Sequence, residues 1–356
     1  MRKINLQLNN IKIPILVGSN ILKTINPENY VKKNDVVIIT NSTIAKLYLK
    51  QTKRMFKDYN VDSLILRDGE KYKNIKTLQQ IHDYLIKNKY DRSLTIVALG
   101  GGVIGDMVAF AADTFMRGVQ LIHIPTTLLA QVDSSIGGKC GINHPLGKNM
   151  IGSFKHPSVI LMDSAILKTL PKREFMAGMA EVIKYGLIKN KSFFKFIDNN
   201  YSKIIQQNTD CLLRTIFTCA SIKAQVVKED ELESGIRAIL NFGHTFGHAI
   251  EVYGNYERFS HGEAVALGMI MATNLSQKIL NLEKKEVDKI KQLIYSIMSE
   301  ELLKSEFQPN DLVKLMSADK KKKGDSLNFI LLSSIGEAQI LSDIQESDII
   351  ESIKLN

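Results

Sequence analysis

The chain has 356 residues, of which 44% are hydrophobic and 24% charged, and its formal net charge is +10. This composition is typical of a globular protein of about two domains, and no apolar run reaches the roughly 18 uncharged residues of a membrane helix. The three cysteines lack the spacing of a zinc site or a disulfide framework, so we expect a cytoplasmic protein. Its basic charge indicates anionic small molecules rather than nucleic acid, for which no motif is present.

Short β-branched runs alternate with helical patterns in the first half of the chain. Residues 36–40, 63–66, 94–99 and 121–124 have the continuous apolar character of buried parallel strands. Strands separated by helical stretches predict βαβ units and a twisted parallel sheet. We therefore expect an α/β domain with a parallel sheet in this part of the chain.

A glycine-rich turn follows the predicted strand at residues 94–99. Gly100, Gly102 and Gly105 satisfy the pattern G-x-G-x-x-G before an apolar helical stretch. Such a turn lets a pyrophosphate approach the backbone and the helix N-terminus, although glycine also serves packing alone in tight turns. No acidic residue follows about 20 positions later to hold a ribose. The segment DGEKYK at residues 68–73 is a candidate for that contact, the alternative being an ordinary charged turn.

Residues 125–152 are rich in Thr, Ser, Gly, Asn and Lys but carry few of the charges of a solvated loop. A long glycine-rich connection without its own periodicity is usually functional or disordered. Because apolar residues lie between the polar ones, we expect an ordered site. Its candidate polar contacts are Asp133, Lys139, Lys148 and Asn149.

The second half of the chain has mainly helical periodicity, as in residues 172–188, 211–227 and 263–279. We expect a domain boundary near residues 160–172. Glu181 and Lys184 share one face of the first of these helices, so Glu181 is either a metal ligand or half of a surface ion pair. The donors suited to a carboxylate or a phosphate are Lys223, Arg237 and Asn241.

Three of the seven histidines lie between residues 241 and 263. His244 and His248 are four residues apart, so both rings would project from one face of a helix, and His261 follows a tyrosine-rich turn. Imidazole is the commonest side-chain metal ligand and transfers protons near neutral pH. The cluster therefore indicates a metal site, a general acid or base, or both, unless these histidines are neighbours by chance.

The motifs together resemble the 3-dehydroquinate synthase family of the shikimate pathway over nearly the whole chain. They are DGEKYK, GGGVIGD, IPTTLLAQVDSSIGGKCGINHPLGKNMIG, LKTLP, GMAEVIKYG, LNFGHTFGHAIE and HGEAVA. The resemblance implies a Rossmann-like NAD-binding domain over residues 1–165 and a mainly helical domain for metal and substrate over residues 166–356. It also implies a homodimer, with NAD⁺ and one Zn²⁺ or Co²⁺ ion as cofactors.

The resemblance also implies the site residues. Glu181, His244 and His261 match the metal ligands, and His248 matches a proton-handling residue beside them, although its spacing from His244 alone would favour a ligand. The matches to other catalytic or substrate-binding positions are Asp133, Lys139, Asn149, Lys184, Lys223, Arg237, Asn241, Lys320 or the adjacent Lys321, and Arg117 of the partner subunit. The matches to NAD contacts are Asp68, Gly69, Glu70, Lys71, Tyr72, Lys73, Gly102, Val103, Ile104, Gly105, Asp106, Thr126, Thr127, Lys139, Lys148, Ile166, Leu167, Lys168 and Thr169.

The activity implied is the conversion of 3-deoxy-D-arabino-heptulosonate 7-phosphate to 3-dehydroquinate and phosphate. The steps are transient oxidation by NAD, phosphate elimination, reduction and intramolecular aldol closure. One alternative is a sister sugar-phosphate cyclase, such as 2-deoxy-scyllo-inosose or 2-epi-5-epi-valiolone synthase, although Lys223 and Arg237 favour a substrate with a carboxylate. Another is a metal-dependent NAD alcohol dehydrogenase. A zinc peptidase is disfavoured because Thr245 stands where HExxH has glutamate, and a basic nucleic-acid-binding module is the non-enzymatic alternative.

Overall fold

The computed structural model describes residues 1–8, 11–31, 34–323 and 327–354, without the side chains of residues 318–323. The chain divides into two compact units. The first comprises Met1–Pro171 and Gln207–Glu231, and the second comprises Lys172–Gln206 and Leu232–Asn356. The chain thus first changes units at residue 172 and later returns to the first unit for one helix. The functional division at residue 165 stays a prediction.

The secondary structure alternates strands and helices up to residue 163 and is mainly helical afterwards. The strands are β1 (Arg2–Leu8), β2 (Ile11–Gly18), β3 (Asp35–Asn41), β4 (Asn60–Leu66), β5 (Thr95–Gly100), β6 (Gln120–Pro125), β7 (Lys139–His144), β8 (Gly147–Phe154), β9 (Val159–Asp163), β10 (Phe329–Ser334) and β11 (Glu337–Leu341). The helices are α1 (Ser42–Ile44), α2 (Lys50–Met55), α3 (Ile75–Lys87), α4 (Gly102–Thr114), α5 (Lys172–Lys189), α6 (Lys191–Ile205), α7 (Thr209–Glu229), α8 (His244–Tyr253), α9 (His261–Leu280), α10 (Lys284–Ser296), α11 (Glu300–Leu303), α12 (Pro309–Lys323) and α13 (Glu346–Ser352).

A seven-stranded sheet forms the centre of the first unit, as far as its residues are described, in the order β1-β2-β9-β6-β5-β3-β4. All neighbours pair parallel except β1 and β2, which form an antiparallel hairpin at one edge. The four predicted strands are β3, β4, β5 and β6, so the predicted parallel α/β sheet is confirmed.

Two apolar cores cover the two faces of this sheet. Side chains alternate along a strand, so Val37 and Ile39 of β3 join one core, and Val36 and Ile38 join the other. Helices α3 and α4 contribute to the first core, and the Asn74 side chain caps α3 by accepting from the Thr77 N–H. Such two-sided burial explains why these strands are continuously apolar.

Helix α5 lies deep in the second unit, since its residues 177–188 are all buried. Helices α5 and α9 approach closely at Gly262, where a Cβ atom would collide with the backbone of Ala177. The hairpin β10–β11 completes this unit, and the mainly helical second half is confirmed. Among the described helices, none combines the length and apolarity needed to cross a membrane.

Candidate active site

Glu181, His244 and His261 form a cluster within the second unit. One ligand atom of each residue lies within 4.8 Å of the others. The carboxylate oxygen Oε1 of Glu181 is 3.7 Å from Nε2 of His244 and 4.0 Å from Nε2 of His261. The structure thus brings together the three residues that the sequence predicts as metal ligands.

The packing of α8 against α9 determines the positions of His244 and His261. His244 and His261 are the first residues of α8 and α9, respectively. Gly243, just before α8, has a φ of 80° and lies so close to Met269 of α9 that a Cβ atom would clash. That left-handed conformation and that space both require glycine. The local sequence therefore fixes the backbone of His244 against α9.

The start of α9 is held by a capping box and an ion pair. The Glu263 side chain accepts from the Ser260 N–H at 2.8 Å. The same carboxylate accepts two hydrogen bonds from the Arg173 guanidinium, each 2.7 Å long. Since His261 lies between Ser260 and Glu263, these contacts fix its backbone position.

The Glu181 carboxylate is suited to a cation. Its side chain is fully buried, and its Oε2 forms an ion pair with the ammonium of Lys184 from the next helical turn. Oε1 has no hydrogen-bond partner among the described residues and faces the two imidazoles. A buried carboxylate oxygen is costly to leave without a partner, and a divalent cation between Glu181 and the two imidazoles would provide one for Oε1. The predicted surface ion pair is excluded by this burial.

The His244 ring is neutral at physiological pH. Burial lowers its pKa well below the ordinary value, and the positive charge of Lys184 and the two neighbouring histidines lower it further. Its Nδ1 faces the carbonyl oxygen of Phe242 at 3.3 Å. A proton on Nδ1 donates to that carbonyl and leaves the lone pair of Nε2 directed at Glu181, the form a metal requires.

A second carboxylate faces the other side of the His261 ring. Oε2 of Glu251, a residue only 4% exposed, lies 3.6 Å from Nδ1 of His261. Burial lowers the pKa of His261, but Glu251 and Glu181 outweigh this effect and leave the pKa raised. Sequence spacing did not indicate Glu251, although it lies on α8 seven residues after His244 and thus on the same face.

His248 lies beside the cluster rather than in it. Its ring centroid is 5.6 Å from that of His244 and 6.4 Å from that of His261. The metal-ligand group formed by the described residues contains His244 and His261 but not His248. The i, i+4 spacing therefore does not identify the ligand pair, and the proton-handling role of His248 stays a prediction.

Glu233 connects two further predicted residues of the second unit. Oε1 of Glu233 accepts from Nδ2 of Asn241 at 2.9 Å, and Oε2 is 3.9 Å from Nε of Arg237. Arg237 is only 2% exposed, so its charge is available to an anion only inside the protein. The sequence did not indicate Glu233, because it is one of four acidic residues in the stretch 229–233 and nothing in the pattern distinguishes it from the others.

Asp133 and Lys223 are paired within the first unit. Nζ of Lys223, on α7, donates to Oδ1 of Asp133 at 2.7 Å and to its backbone carbonyl at 2.8 Å. Lys223 was expected to hold a substrate carboxylate together with Arg237, which belongs to the other unit. That joint role stays a prediction.

The glycine turn after β5 is closely packed against neighbouring side chains. A Cβ atom on Gly100 would clash with Ile104, and one on Gly101 would lie 3.0 Å from Thr127. The Thr126 N–H donates to the Gly100 carbonyl at 3.0 Å, which joins the ends of β5 and β6. The predicted NAD contacts on α4 and after β6 thus meet at the carboxyl ends of two strands, where nucleotides bind in such sheets.

Asp68 is a positioned carboxylate that follows β4, the edge strand paired with β3. Its two oxygens accept from Nδ2 of Asn41 at 2.8 Å and from Oγ1 of Thr43 at 2.6 Å. Asn41 itself ends β3, where an acidic ribose ligand would be expected. A cavity of about 420 Å³ lies beside these residues, lined by Ser42, Ile65, Leu66, Arg67, Asp68 and Tyr72.

Lys73 shows that the charged segment is more than a surface turn. The residue is 4% exposed, and its Nζ donates to Oδ2 of Asp106 at 2.5 Å and to Oδ1 of Asn149 at 2.6 Å. Burial raises the pKa of Asp106, and Lys73 only partly offsets that effect. Lys73 therefore connects three elements through one buried polar contact. They are the predicted NAD segment (residues 68–73), helix α4 and the hairpin β7–β8.

For Arg117 and residues 166–169 the structure gives backbone positions but, among the residues it describes, no contact that bears on their roles. Arg117 has a φ of 61° between Met116 and Gly118, which also have positive φ, and its role toward a partner subunit stays a prediction. Ile166, Leu167, Lys168 and Thr169 form part of a 3₁₀ helix over Ser164–Thr169, where Tyr48 contacts Ile166 and Thr169. The side chains of Lys320 and Lys321 lie outside the described residues.

Comparison with known proteins identifies relatives of the whole chain. The family models for the 3-dehydroquinate synthase N-terminal and C-terminal regions match residues 63–177 and 178–322. The 3-dehydroquinate synthase of Teredinibacter turnerae is 44% identical over 96% of this chain and 96% of its own, and that of Psychrobacter arcticus is 48% identical over 88% and 81%. A crystal structure of 2-deoxy-scyllo-inosose synthase with carbaglucose-6-phosphate, NAD⁺ and Co²⁺ covers 99% of both chains with a TM-score of 0.89 and 27% identity.

Proposed function

The chain belongs to the 3-dehydroquinate synthase family, and on this basis we propose that it converts 3-deoxy-D-arabino-heptulosonate 7-phosphate to 3-dehydroquinate and phosphate. The observation that carries the proposal is the cluster of Glu181, His244 and His261, in which the buried Oε1 of Glu181 faces Nε2 of both histidines. The enzyme would be a carbon–oxygen lyase that closes a ring after phosphate is eliminated.

Two groups would be bound for this chemistry. Glu181, His244 and His261 would hold a divalent cation, and the glycine turn with Asp68 and Lys73 would hold NAD⁺. When bound, the cation would lower the pKa of a substrate hydroxyl and NAD⁺ would take and return a hydride. The Co²⁺ and NAD⁺ of the related 2-deoxy-scyllo-inosose synthase complex support this pair of cofactors, and we propose Zn²⁺ or Co²⁺ here.

The chain's own residues supply binding and orientation. The neutral ring of His244 presents its Nε2 lone pair to the cation, and the nearby ammonium of Lys184 favours deprotonation of a substrate hydroxyl. Buried Arg237, held by Glu233, would bind a carboxylate or phosphate in an environment where charge interactions are strong. His248, whose ring lies near both ligand histidines, would move a proton. In the first unit, Lys139, Lys148 and Asn149 would bind phosphate or NAD⁺.

A sister sugar-phosphate cyclase is the second candidate, because such an enzyme has the same fold. Its identity to this chain is 27%, whereas the 3-dehydroquinate synthases reach 44% and 48%. A substrate that carries a carboxylate would also bring a second anionic group to buried Arg237, in addition to Glu233. We therefore favour the heptulosonate phosphate as substrate. A homodimer in the cytoplasm completes the proposal.

The test is a phosphate-release assay with the heptulosonate phosphate, NAD⁺ and Zn²⁺, in which NADH absorbance is followed in the same cuvette. We expect phosphate and dehydroquinate to form without net NADH, and a chelator to stop both. Net accumulation of NADH would indicate a simple dehydrogenase instead. Turnover of glucose 6-phosphate in place of the heptulosonate phosphate would indicate a sister cyclase.

A further inference from the structure

A β-bulge places Asn143 at a break in its own hairpin. β7 and β8 pair antiparallel, but their register shifts between Ile142 and His144. At this shift the Asn143 N–H donates to the backbone carbonyl of Lys73, 2.8 Å away. Bulges commonly re-aim a side chain toward a functional site, and this one ties β7 to the predicted NAD segment.

The Asn143 side chain joins two residues that belong to different predicted subsites. Its Nδ2 donates to Oε1 of Glu70 at 2.6 Å, and its Oδ1 accepts from the N–H of Asn149 at 2.9 Å. Asn149 has a φ of 54°, a conformation that asparagine tolerates better than most residues. The amide of Asn143 therefore holds the strained Asn149 and the NAD segment at once.

A buried lysine completes the connection. Lys73 donates its Nζ to Oδ1 of Asn149 at 2.6 Å, and the Lys73 carbonyl accepts from Asn143. Asn143, Lys73 and Asn149 thus form a closed ring of hydrogen bonds, which the contact of Lys73 with Asp106 anchors to α4. Because each member holds the next, a shift of residues 68–73 displaces Asn149 as well.

We propose that Asn143 is a positioning residue that couples the NAD subsite to the phosphate subsite. It needs no contact of its own with either ligand, since it acts through Glu70 and Asn149. The inference rests on the proposed function, which assigns Glu70 to NAD and Asn149 to the phosphate. Coupling between binding sites is reciprocal. NAD therefore changes the affinity for phosphate by the same factor as phosphate changes the affinity for NAD.

The experiment measures the dissociation constant of NAD⁺ for the full chain by calorimetry, with and without saturating inorganic phosphate. The ratio of the two constants is the coupling factor. We expect about fivefold or more for the wild type and less than about twofold for Asn143→Ala. Asn5→Ala is the matched control, because Asn5 is an exposed strand residue of the same unit. It is expected to keep the wild-type factor, and thermal unfolding checks that both variants fold.

A pair of exchanges separates positioning from a general structural effect. Glu70→Gln keeps an acceptor for Asn143, whereas Asn143→Asp sets two carboxylates against each other. Combining N143D with E70Q reverses donor and acceptor and rebuilds the hydrogen bond, while one oxygen of the new carboxylate still accepts from Asn149. We expect N143D alone to lose the coupling. We expect the double variant to have a larger coupling factor than N143D, close to that of E70Q alone.

The outcomes distinguish this proposal from the proposed function. A wild-type chain that does not bind NAD⁺ would refute both. Wild-type binding of both ligands with no coupling would overturn the positioning role alone. The same conclusion follows if N143A keeps the wild-type factor, or if the double variant is no better coupled than N143D.

Discussion

The three side chains of the metal-ligand cluster are made available to a cation by three different physical means. Glu181 is fully buried beside Lys184, and its Oε1 faces Nε2 of both histidines. His244 is kept neutral by burial and by neighbouring positive charge. His261 is oriented by Glu251, whose carboxylate lies on the far side of the ring. Carboxylates in this position commonly tune the basicity and direction of a ligand histidine.

Replacing Glu251 by Gln removes the charge that faces Nδ1 of His261 while keeping a hydrogen-bond acceptor. We expect the dissociation constant for Zn²⁺ to rise about tenfold, measured by competition with a chromophoric chelator. Glu257→Gln is the matched control, because Glu257 is exposed, and it should bind Zn²⁺ as the wild type does. Zn²⁺ affinity unchanged in Glu251→Gln would show that Glu251 does not support His261.

At the scale of elements, local patterns predict the buried strands and long helices well. β3 and α9 have the composition and period that their burial demands, and the structure places them within a few residues of the predicted bounds. The hairpins β1–β2, β7–β8 and β10–β11 are absent from those predictions. Their pairing depends on turns and on distant partners. Gly336, for example, has a φ of 97° and donates to the Leu187 carbonyl at the end of α5.

Glu286 holds the hairpin β10–β11 and α6 to α10. Its carboxylate is 2.9 Å from Nζ of Lys191 and accepts from the Ile335 N–H at 3.1 Å. Burial raises the pKa of Glu286, but Lys191 and the Ile335 amide outweigh burial and leave the pKa lowered. The stabilisation is therefore present above the ordinary glutamate value of about 4.5 and is lost as the pH falls through the lower folded value.

For Glu286→Gln we expect a loss of about 1 kcal/mol in the free energy of unfolding at pH 7, because Lys191 is largely exposed. Urea unfolding at pH 7 and at pH 3 measures it. The difference from wild type should shrink at the lower pH, where Glu286 itself becomes protonated. Glu283→Gln alters an exposed pair with Lys285 and should change little at either pH. A difference that grows on acidification would contradict the assignment.

At the scale of the whole molecule, each compact unit contains one complete set of candidate groups. The metal-ligand cluster belongs entirely to the second unit, and the glycine turn with its polar network belongs entirely to the first. Composition and motif order predict this two-part organisation. The contacts of Glu251 and Asn143 could not be predicted, because each depends on residues that only the tertiary structure brings together.

Metal binding should therefore stabilise the second unit. A ligand present at about 1,000 times its dissociation constant adds about 4 kcal/mol to the stability of the state that binds it. We expect Zn²⁺ to raise the unfolding temperature in calorimetry and a chelator to reverse the rise. Glu181→Gln, which keeps the size of the side chain but removes its charge, should largely lose the Zn²⁺-dependent rise. An equal rise in that variant would mean that Zn²⁺ binds elsewhere.

His244 and His261 are the opening residues of their helices, and this placement bears on how the protein can change. Insertions or deletions at the far end of α9 leave the His261 imidazole where it is, since the capping contacts that set it lie in the first turn of that helix. The length of α9 is thus free to change among related chains, whereas α8 must keep Glu251 in its last turn, facing His261. A single added residue between Gly243 and His244, by contrast, would rotate the ring away from Glu181 by about 100°.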